Sequence, residues 1–360
     1  MRESEPVSCA DADRANTPAS VAASAPVLLD EGMRLSPTVA EYLLASRSES
    51  TRRGYRSDLR DWAQWCQHAG IRACPASSAD VAEYIAYLAD AGAKVGTIRR
   101  RLSTLSRLHD AARVPNPCAD LLVTDTLDGI RHKKGAPPDQ AVPLRPPVLW
   151  NVLDACPRQR VWADPKRRPE PHLLGHRDRA LLLVGYVGAL RRSELAAIRV
   201  VDLVDHRLGI TVRLPRSKTN QTGEQAEFVI LPRAVDAERC PVQAVLQWLE
   251  VAGIDRTDEG PFLRPVGKSN RAVNRHLSPA SINALVQQAI TRAGHPAGGY
   301  SAHSLRAGFV TEAHLSGASD RQIARQTRHR SPASVSGYIR LEQSWRGNAA
   351  LHLSTEPEGH

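Results

Sequence analysis

The sequence predicts a mainly α-helical protein with a small β-sheet (α+β), divided into an N-terminal helical bundle and a larger, mainly helical C-terminal domain. Three observations predict it. Apolar residues recur at helical spacing through residues 35–130 and again through 148–343. Only two short runs, LGITVRLP (208–215) and EQAEFVILP (224–232), have strand character, and the turn formers of RSKTNQTG between them predict a hairpin. Between the two helical regions, residues 131–147 (RHKKGAPPDQAVPLRPP) contain five prolines and read as an extended, semi-rigid linker with a basic start. A chain of 360 residues is long enough for two separate cores.

Residues 1–34 are rich in Ala, Ser, Pro and acids and are expected to be disordered. Ser36-Pro37 then offers a cap and a proline at a first helical position, leading into TVAEYLLAS. The next helix is announced by Ser48 and Ser50, carries the stripe Tyr55, Leu59, Trp62, Cys66 and Ala69, and ends at Gly70. A third begins near Ser78 with Val81, Tyr84, Ile85 and Leu88 inward. A fourth, VGTIRRRLSTLSRLHDAAR, buries Val95, Ile98, Leu102, Leu105 and Leu108 and displays Lys94, Arg99, Arg100, Arg101 and Arg107. A shorter fifth helix is expected over 118–130. Past the linker come a helix at 147–156, a loop rich in proline and arginine (157–171), and the apolar helix HRDRALLLVGYVGAL. Gly188 is expected to bend or break that helix. The hairpin, helices at 241–252 and 278–293, and the stretch 301–340 complete the domain, leaving 344–360 as a tail.

The formal charge is +10 and the pI about 9.6. Residues 1–31 hold two arginines against six acids, so the remaining chain carries +14. A body that basic points to a polyanion, with duplex DNA the leading candidate. The basic residues of the fourth helix, with Lys133 and Lys134 at the linker's start, read equally as a solvated face or as phosphate contacts. The six cysteines stand at no metal-ligand spacing, so no structural zinc is expected. No apolar run approaches the roughly 20 residues of a membrane span, and the N-terminus has no signal-peptide core. The expected compartment is the cytoplasm.

Chemistry concentrates in Ser301–Arg340, which carries His303-Ser304-Leu305-Arg306, then His329, then Tyr338 nine residues later. Helical spacing makes His303 and Arg306 neighbours on one face. Cationic donors beside a phenol point to work on a phosphodiester. A guanidinium stays charged and presents a planar fork to two oxygens, which is what a phosphoryl transition state needs. A phenol, with an ordinary pKa near 10, needs cationic surroundings and a proton acceptor before it attacks anything at neutral pH.

HSLR, His329 and Tyr338, preceded by Gly188-Ala-Leu-Arg191-Arg192-Ser193-Glu194-Leu195, resemble the signature of the tyrosine recombinases, the phage-integrase family. TRRGYRSDLRDWAQWC (51–66) resembles the family's core-binding domain more loosely. The resemblance implies a core-binding bundle followed by a catalytic domain, together forming a clamp on duplex DNA. It implies catalytic roles for Arg191, Lys218, His303, Arg306, His329 and Tyr338, with Glu194 orienting an arginine or histidine. Tyr338 is the implied nucleophile, His303 the base and Lys218 the acid that protonates the departing 5′ oxygen. It further implies a homo-tetramer on two DNA sites, built from a monomer or weak oligomer when free. No metal and no cofactor are expected, because the cationic groups take over charge stabilisation and the phosphotyrosine conserves bond energy. One residue departs from the family pattern: Arg328 stands before His329 where glycine is common. Two further readings stay open, a type IB topoisomerase-like relaxing enzyme and a non-catalytic DNA-binding relative. The tail, with Trp345, Leu351 and Leu353, either packs on its own domain or exchanges between protomers.

Overall fold

The computed structural model describes residues 48–136, 140–164, 166, 168–214 and 227–328. The expected disorder of 1–34, the helix at Ser36, the hairpin tip with Lys218, and the tail with Trp345 lie outside the described residues. Contacts divide the chain between Pro138 and Asp139 into two compact units, each with its own core.

Among the described residues of the first unit four α-helices pack together: α1 (Glu49–Ala69), α2 (Ser78–Asp90), α3 (Val95–Ala111) and α4 (Leu121–Lys134). Their ends follow local chemistry. Ser48 Oγ accepts from the Thr51 amide at 3.3 Å and starts α1, and Gly70, at φ 67°, ends it in the left-handed region that glycine tolerates. Ser77 and Asp80 close a reciprocal capping box on α2. Trp62, Tyr84, Ile85, Ile98 and Leu105 are fully buried, and Trp62 stacks on Trp65 at 5.4 Å and meets Tyr84 edge-on at 4.9 Å.

The fifth predicted helix and the linker need correction. A 3-10 turn (Pro117–Ala119) comes first, and α4 then continues through Lys134 rather than stopping at 130. Four basic residues in its last turn oppose the negative end of the helix dipole, and Lys134 Nζ bonds the Ala89 carbonyl at 2.8 Å and Asp90 at 2.7 Å. The far end of the presumed linker is also anchored, as part of the second unit. The Val142 amide donates to the Gly299 carbonyl at 3.0 Å, the Leu144 amide to the Ser304 carbonyl at 2.9 Å, and the Leu144 side chain is fully buried.

The described residues of the second unit form α5 (Val148–Asp154), β1 (Gln159–Arg160), β2 (Glu170–Pro171), α6 (Leu173–Val187), α7 (Arg192–Ala197), β3 (Leu203–His206), β4 (Gly209–Leu214), β5 (Glu227–Pro232), α8 (Pro241–Val251), α9 (Pro279–Arg292), α10 (Ala302–Leu315) and α11 (Asp320–Thr327). Helix α6 is its axis. Buried on nearly every side, it lies under α8 and α10 with Leu181, Leu182, Leu183 and Val184 in the core. Trp248 on α8 is buried beside it and donates from Nε1 to the Phe262 carbonyl at 2.8 Å. The segment 157–171, expected as plain loop, contains the short antiparallel β1–β2 ladder. The hairpin is one strand larger than expected: β3 pairs with β4, Leu203 opposite Val212, giving the antiparallel order β3-β4-β5. Residues 203–206 alternate poorly, and only pairing with β4 makes them a strand.

Gly308 on α10 lets the anchored strap approach, since a Cβ there would meet the Leu144 carbonyl oxygen at 2.0 Å. That oxygen is backbone, held by the strap's hydrogen bonds. Gly308→Ala is therefore expected to destabilise the second unit by about 1–3 kcal/mol, the range of overpacking in a filled core. Urea unfolding followed by tryptophan fluorescence measures it. An unchanged midpoint would mean that the strap does not rest on α10.

Candidate active site

Three backbone features bring the predicted basic residues together. Helix α6 ends at Val187 with Gly188 as its cap, and Ala189 then turns the chain at φ 45°, delivering Arg191 to the start of α7. Gly185 leaves room on α6 for Leu305 and Leu195, whose methyl groups lie 2.8 and 3.2 Å from where its Cβ would stand. That close approach draws α10, with His303 and Arg306, and α7, with Arg191 and Glu194, onto the same end of α6. Helix α11 closes the arrangement, with Gln326 Nε2 donating to the Val187 and Ile230 carbonyls at 2.9 Å each.

Arg306 is almost fully buried, at 1% exposure. Its Nη1 donates to the Ala189 carbonyl at 2.7 Å and its Nη2 to the Thr327 carbonyl at 2.6 Å. The guanidinium thus ties the turn after α6 to the end of α11. Glu194, buried among arginines, accepts from the Arg191 amide at 2.9 Å and from Arg191 Nη1 at 2.6 Å. It also accepts from Arg328 Nη2. The Arg191 side chain keeps 19% of its surface open.

His303 lies one turn before Arg306 on α10, and its amide donates to Ser301 Oγ at 3.2 Å. Part of the residue faces solvent. Crowding around its ring pushes the imidazole down from its ordinary value, and the charges of Arg306, Arg191 and Arg192 add to the effect. Both effects favour the uncharged ring, the form that takes up a proton.

The structure gathers Arg191, Glu194, His303 and Arg306 at one place. Lys218, His329 and Tyr338 lie outside the described residues. Sequence reasoning did not find the carbonyls of Ala189 and Thr327, nor the role of Arg328 as a partner of Glu194. The only available signal was an arginine in a position where glycine is common. Among the basic residues of the first unit the structure separates two groups. Arg100 Nη1 pairs with buried Asp58, Arg101 Nη1 with Asp61, and Thr104 Oγ1 donates to Asp58 at 2.9 Å, so these arginines hold α3 against α1. Lys134 is likewise engaged by Asp90. Lys94, Arg99, Arg107 and Lys133 are exposed, and the Arg100 side chain keeps about half of its surface open.

Residues 40–114 match the phage integrase N-terminal SAM-like domain and residues 166–344 the phage integrase family. The chain is 33% identical over 324 residues to the integrase/recombinase XerD homolog of Selenomonas ruminantium, covering 89% of this chain and 90% of that one. It is 24% identical over 311 residues to recombinase Cre of Escherichia phage P1, covering 83% and 86%. Its fold is similar to that of a XerH site-specific recombinase bound to palindromic difH substrate in a post-cleavage complex. That match has a TM-score of 0.55 at 15% identity and covers 84% of this chain and 80% of that one. The two-part organisation, the buried arginine centre and a third of the residues shared over nine-tenths of a relative lead to one conclusion: this chain belongs to the phage integrase family of tyrosine recombinases.

Proposed function

We propose that the chain is a site-specific recombinase in which Tyr338 attacks a backbone phosphate of duplex DNA, forming a 3′-phosphotyrosyl bond and releasing a 5′-hydroxyl. Family membership makes it a DNA breaking-and-rejoining enzyme, and the residue roles follow from the chemistry. Arg191 and Arg306 hold the non-bridging oxygens, where negative charge must be stabilised in the transition state. His303, its uncharged form favoured, takes the phenol proton. Lys218 returns a proton to the departing 5′ oxygen, and His329 donates to a phosphate oxygen. In rejoining, the 5′-hydroxyl of a partner strand attacks the phosphotyrosyl bond and Tyr338 leaves as the free phenol. No bond energy is lost across the two steps, so no nucleotide is consumed.

One observation carries this reading furthest: two arginines are anchored by a buried carboxylate and two backbone carbonyls at the same end of the unit as His303. A guanidinium already held in place loses little freedom when it binds an anion, and it lowers the barrier to the extent that its hydrogen bonds strengthen as charge builds on the phosphate oxygens. Outside this centre, Arg99, Arg107, Lys94, Lys133 and the open half of Arg100 supply phosphate contacts along the duplex, while Arg101 and Lys134 act chiefly within the first unit. Recombination would use four protomers on two DNA sites.

The test is capture of the covalent intermediate. Nicked duplexes tiled across the DNA that neighbours its gene are incubated with the protein in EDTA and separated on denaturing gels. We expect a labelled band carrying one protein mass, with the cut site given by sequencing. Tight binding without any adduct would favour a non-catalytic DNA-binding protein. An adduct that forms only when Mg²⁺ is restored would overturn the metal-free mechanism, and relaxation of plasmids that lack any special site would point to a topoisomerase.

A further inference from the structure

Arg328 lies in this centre and is not used by the chemistry above, and its surroundings are unusual. It ends α11 in the left-handed region, at φ 56° and ψ 45°, where glycine is the ordinary occupant. A side chain there costs roughly 1–2 kcal/mol in backbone strain. The side chain is also turned inward, with 7% of its surface open. Its Nη2 bonds Glu194 Oε2, its Nη1 donates to the Gln326 carbonyl at 3.3 Å, and its Nε lies 3.5 Å from Glu227 Oε2.

Glu194 is the same carboxylate that holds both the amide and Nη1 of Arg191. One residue before Arg328, the Thr327 carbonyl accepts from Arg306. The peptide joining Thr327 to Arg328 is therefore gripped from two sides: by Arg306 directly, and by Arg191 through Glu194. Freed from Arg328, the Glu194 carboxylate would have one fewer partner in a buried setting, and the Arg191 fork would have more than one way to sit against it.

We propose that Arg328 is a positioning residue that sets the Arg191 guanidinium through Glu194 and locks it in register with Arg306. This rests on the recombinase reading above and assigns Arg328 no contact with DNA. Reaching a phosphate would require its fork to leave Glu194, removing one partner from a buried carboxylate that would keep only Arg191. The ion pair with Glu194 works against the strain of a non-glycine residue at this position, while the contact with Glu227, at 3.5 Å, forms no hydrogen bond.

Three variants separate the possibilities: Arg328→Gly relieves the strain and removes the fork, Arg328→Ala keeps the strain and removes the fork, and Arg328→Lys keeps a charge near Glu194. Each is compared with wild type on a nicked duplex that yields wild-type adduct, measuring affinity across a salt series and the adduct rate at saturating DNA. We expect Arg328→Gly to bind within about twofold of wild type, with an unchanged salt slope. Its adduct rate should fall at least about tenfold, as loss of alignment in a preorganised site does. Arg328→Lys should recover part of that rate, and Arg328→Ala should match the glycine variant. An adduct rate in Arg328→Gly equal to wild type would overturn the proposal. So would a normal rate at saturation combined with weaker binding and a salt slope smaller by about one, the mark of a lost phosphate contact. Should the glycine and alanine variants fail to fold by thermal unfolding, Arg328→Lys alone decides: a rate deficit at full DNA occupancy supports positioning, and a wild-type rate refutes it. Absence of adduct from wild type itself would count against the recombinase reading instead.

Discussion

Tyr338→Phe is expected to form no covalent adduct on any DNA that traps wild type, while binding that DNA with nearly the same affinity. The substitution removes one oxygen and leaves the ring. Phenylalanine has no group that can attack phosphorus. A water in its place would release a phosphate end and leave no protein–DNA bond. The expected loss of adduct is at least about 10⁴-fold, equivalent to about 5.5 kcal/mol of barrier. A phenol with an ordinary pKa near 10 is a poor nucleophile at neutral pH, so the surrounding charge matters as much as the oxygen. Gel-shift titration and denaturing gels on the same duplex read both quantities. Adduct formation by the phenylalanine variant would assign the nucleophile elsewhere.

Arg306→Ala is expected to damage fold and chemistry together, and Arg306→Lys to separate them. In the alanine variant the Ala189 and Thr327 carbonyls both lose their donor in a buried setting. Each unsatisfied group costs about 1–3 kcal/mol, and the emptied volume adds to this. The second unit should lose about 3–5 kcal/mol, read by urea unfolding. Lysine keeps the charge and one carbonyl contact, so the fold should survive with a smaller loss. It cannot present two parallel donors to a phosphate, and cleavage at saturating DNA should fall by about 10²–10³, the usual effect of removing one transition-state donor. Wild-type cleavage by Arg306→Lys would exclude a bidentate role.

Much of the fold was legible because its signals are local. Ser48 and Gly70 mark the ends of α1 through their own side chain and backbone preferences, and Leu59, Trp62 and Cys66 of the expected stripe face the core, while Tyr55 is half-buried and Ala69, in the last turn, is exposed. The chemical inventory was legible as well, since Arg191, Glu194, His303 and Arg306 announce themselves by type and order, and the structure gathers them. Harder to read were features that need a distant partner. The extension of α4 to Lys134 depends on Asp90 and the Ala89 carbonyl. Strand β3 exists because β4 pairs with it. Residues 142–144 read as linker by composition, yet Leu144 is a core residue because Gly308 lets the strap lie against α10.

The basic residues show the division most sharply. By itself the sequence determined a mainly helical chain in two parts, a strongly basic body, and the kinds of group available for phosphodiester chemistry, because helical period, net charge and side-chain type are properties of neighbours and totals. Only the tertiary structure decided what each charge does. In the string of letters Arg99, Arg100 and Arg101 are equivalent, but Asp58 and Asp61 engage the last two while Arg99 remains exposed. Arg306 meets a carbonyl 117 residues away, and Arg328 a carboxylate 134 residues away. A buried charge must find a partner wherever folding brings one within reach. No local pattern encodes that meeting, so the partner, and with it the role, becomes visible only once the chain has folded.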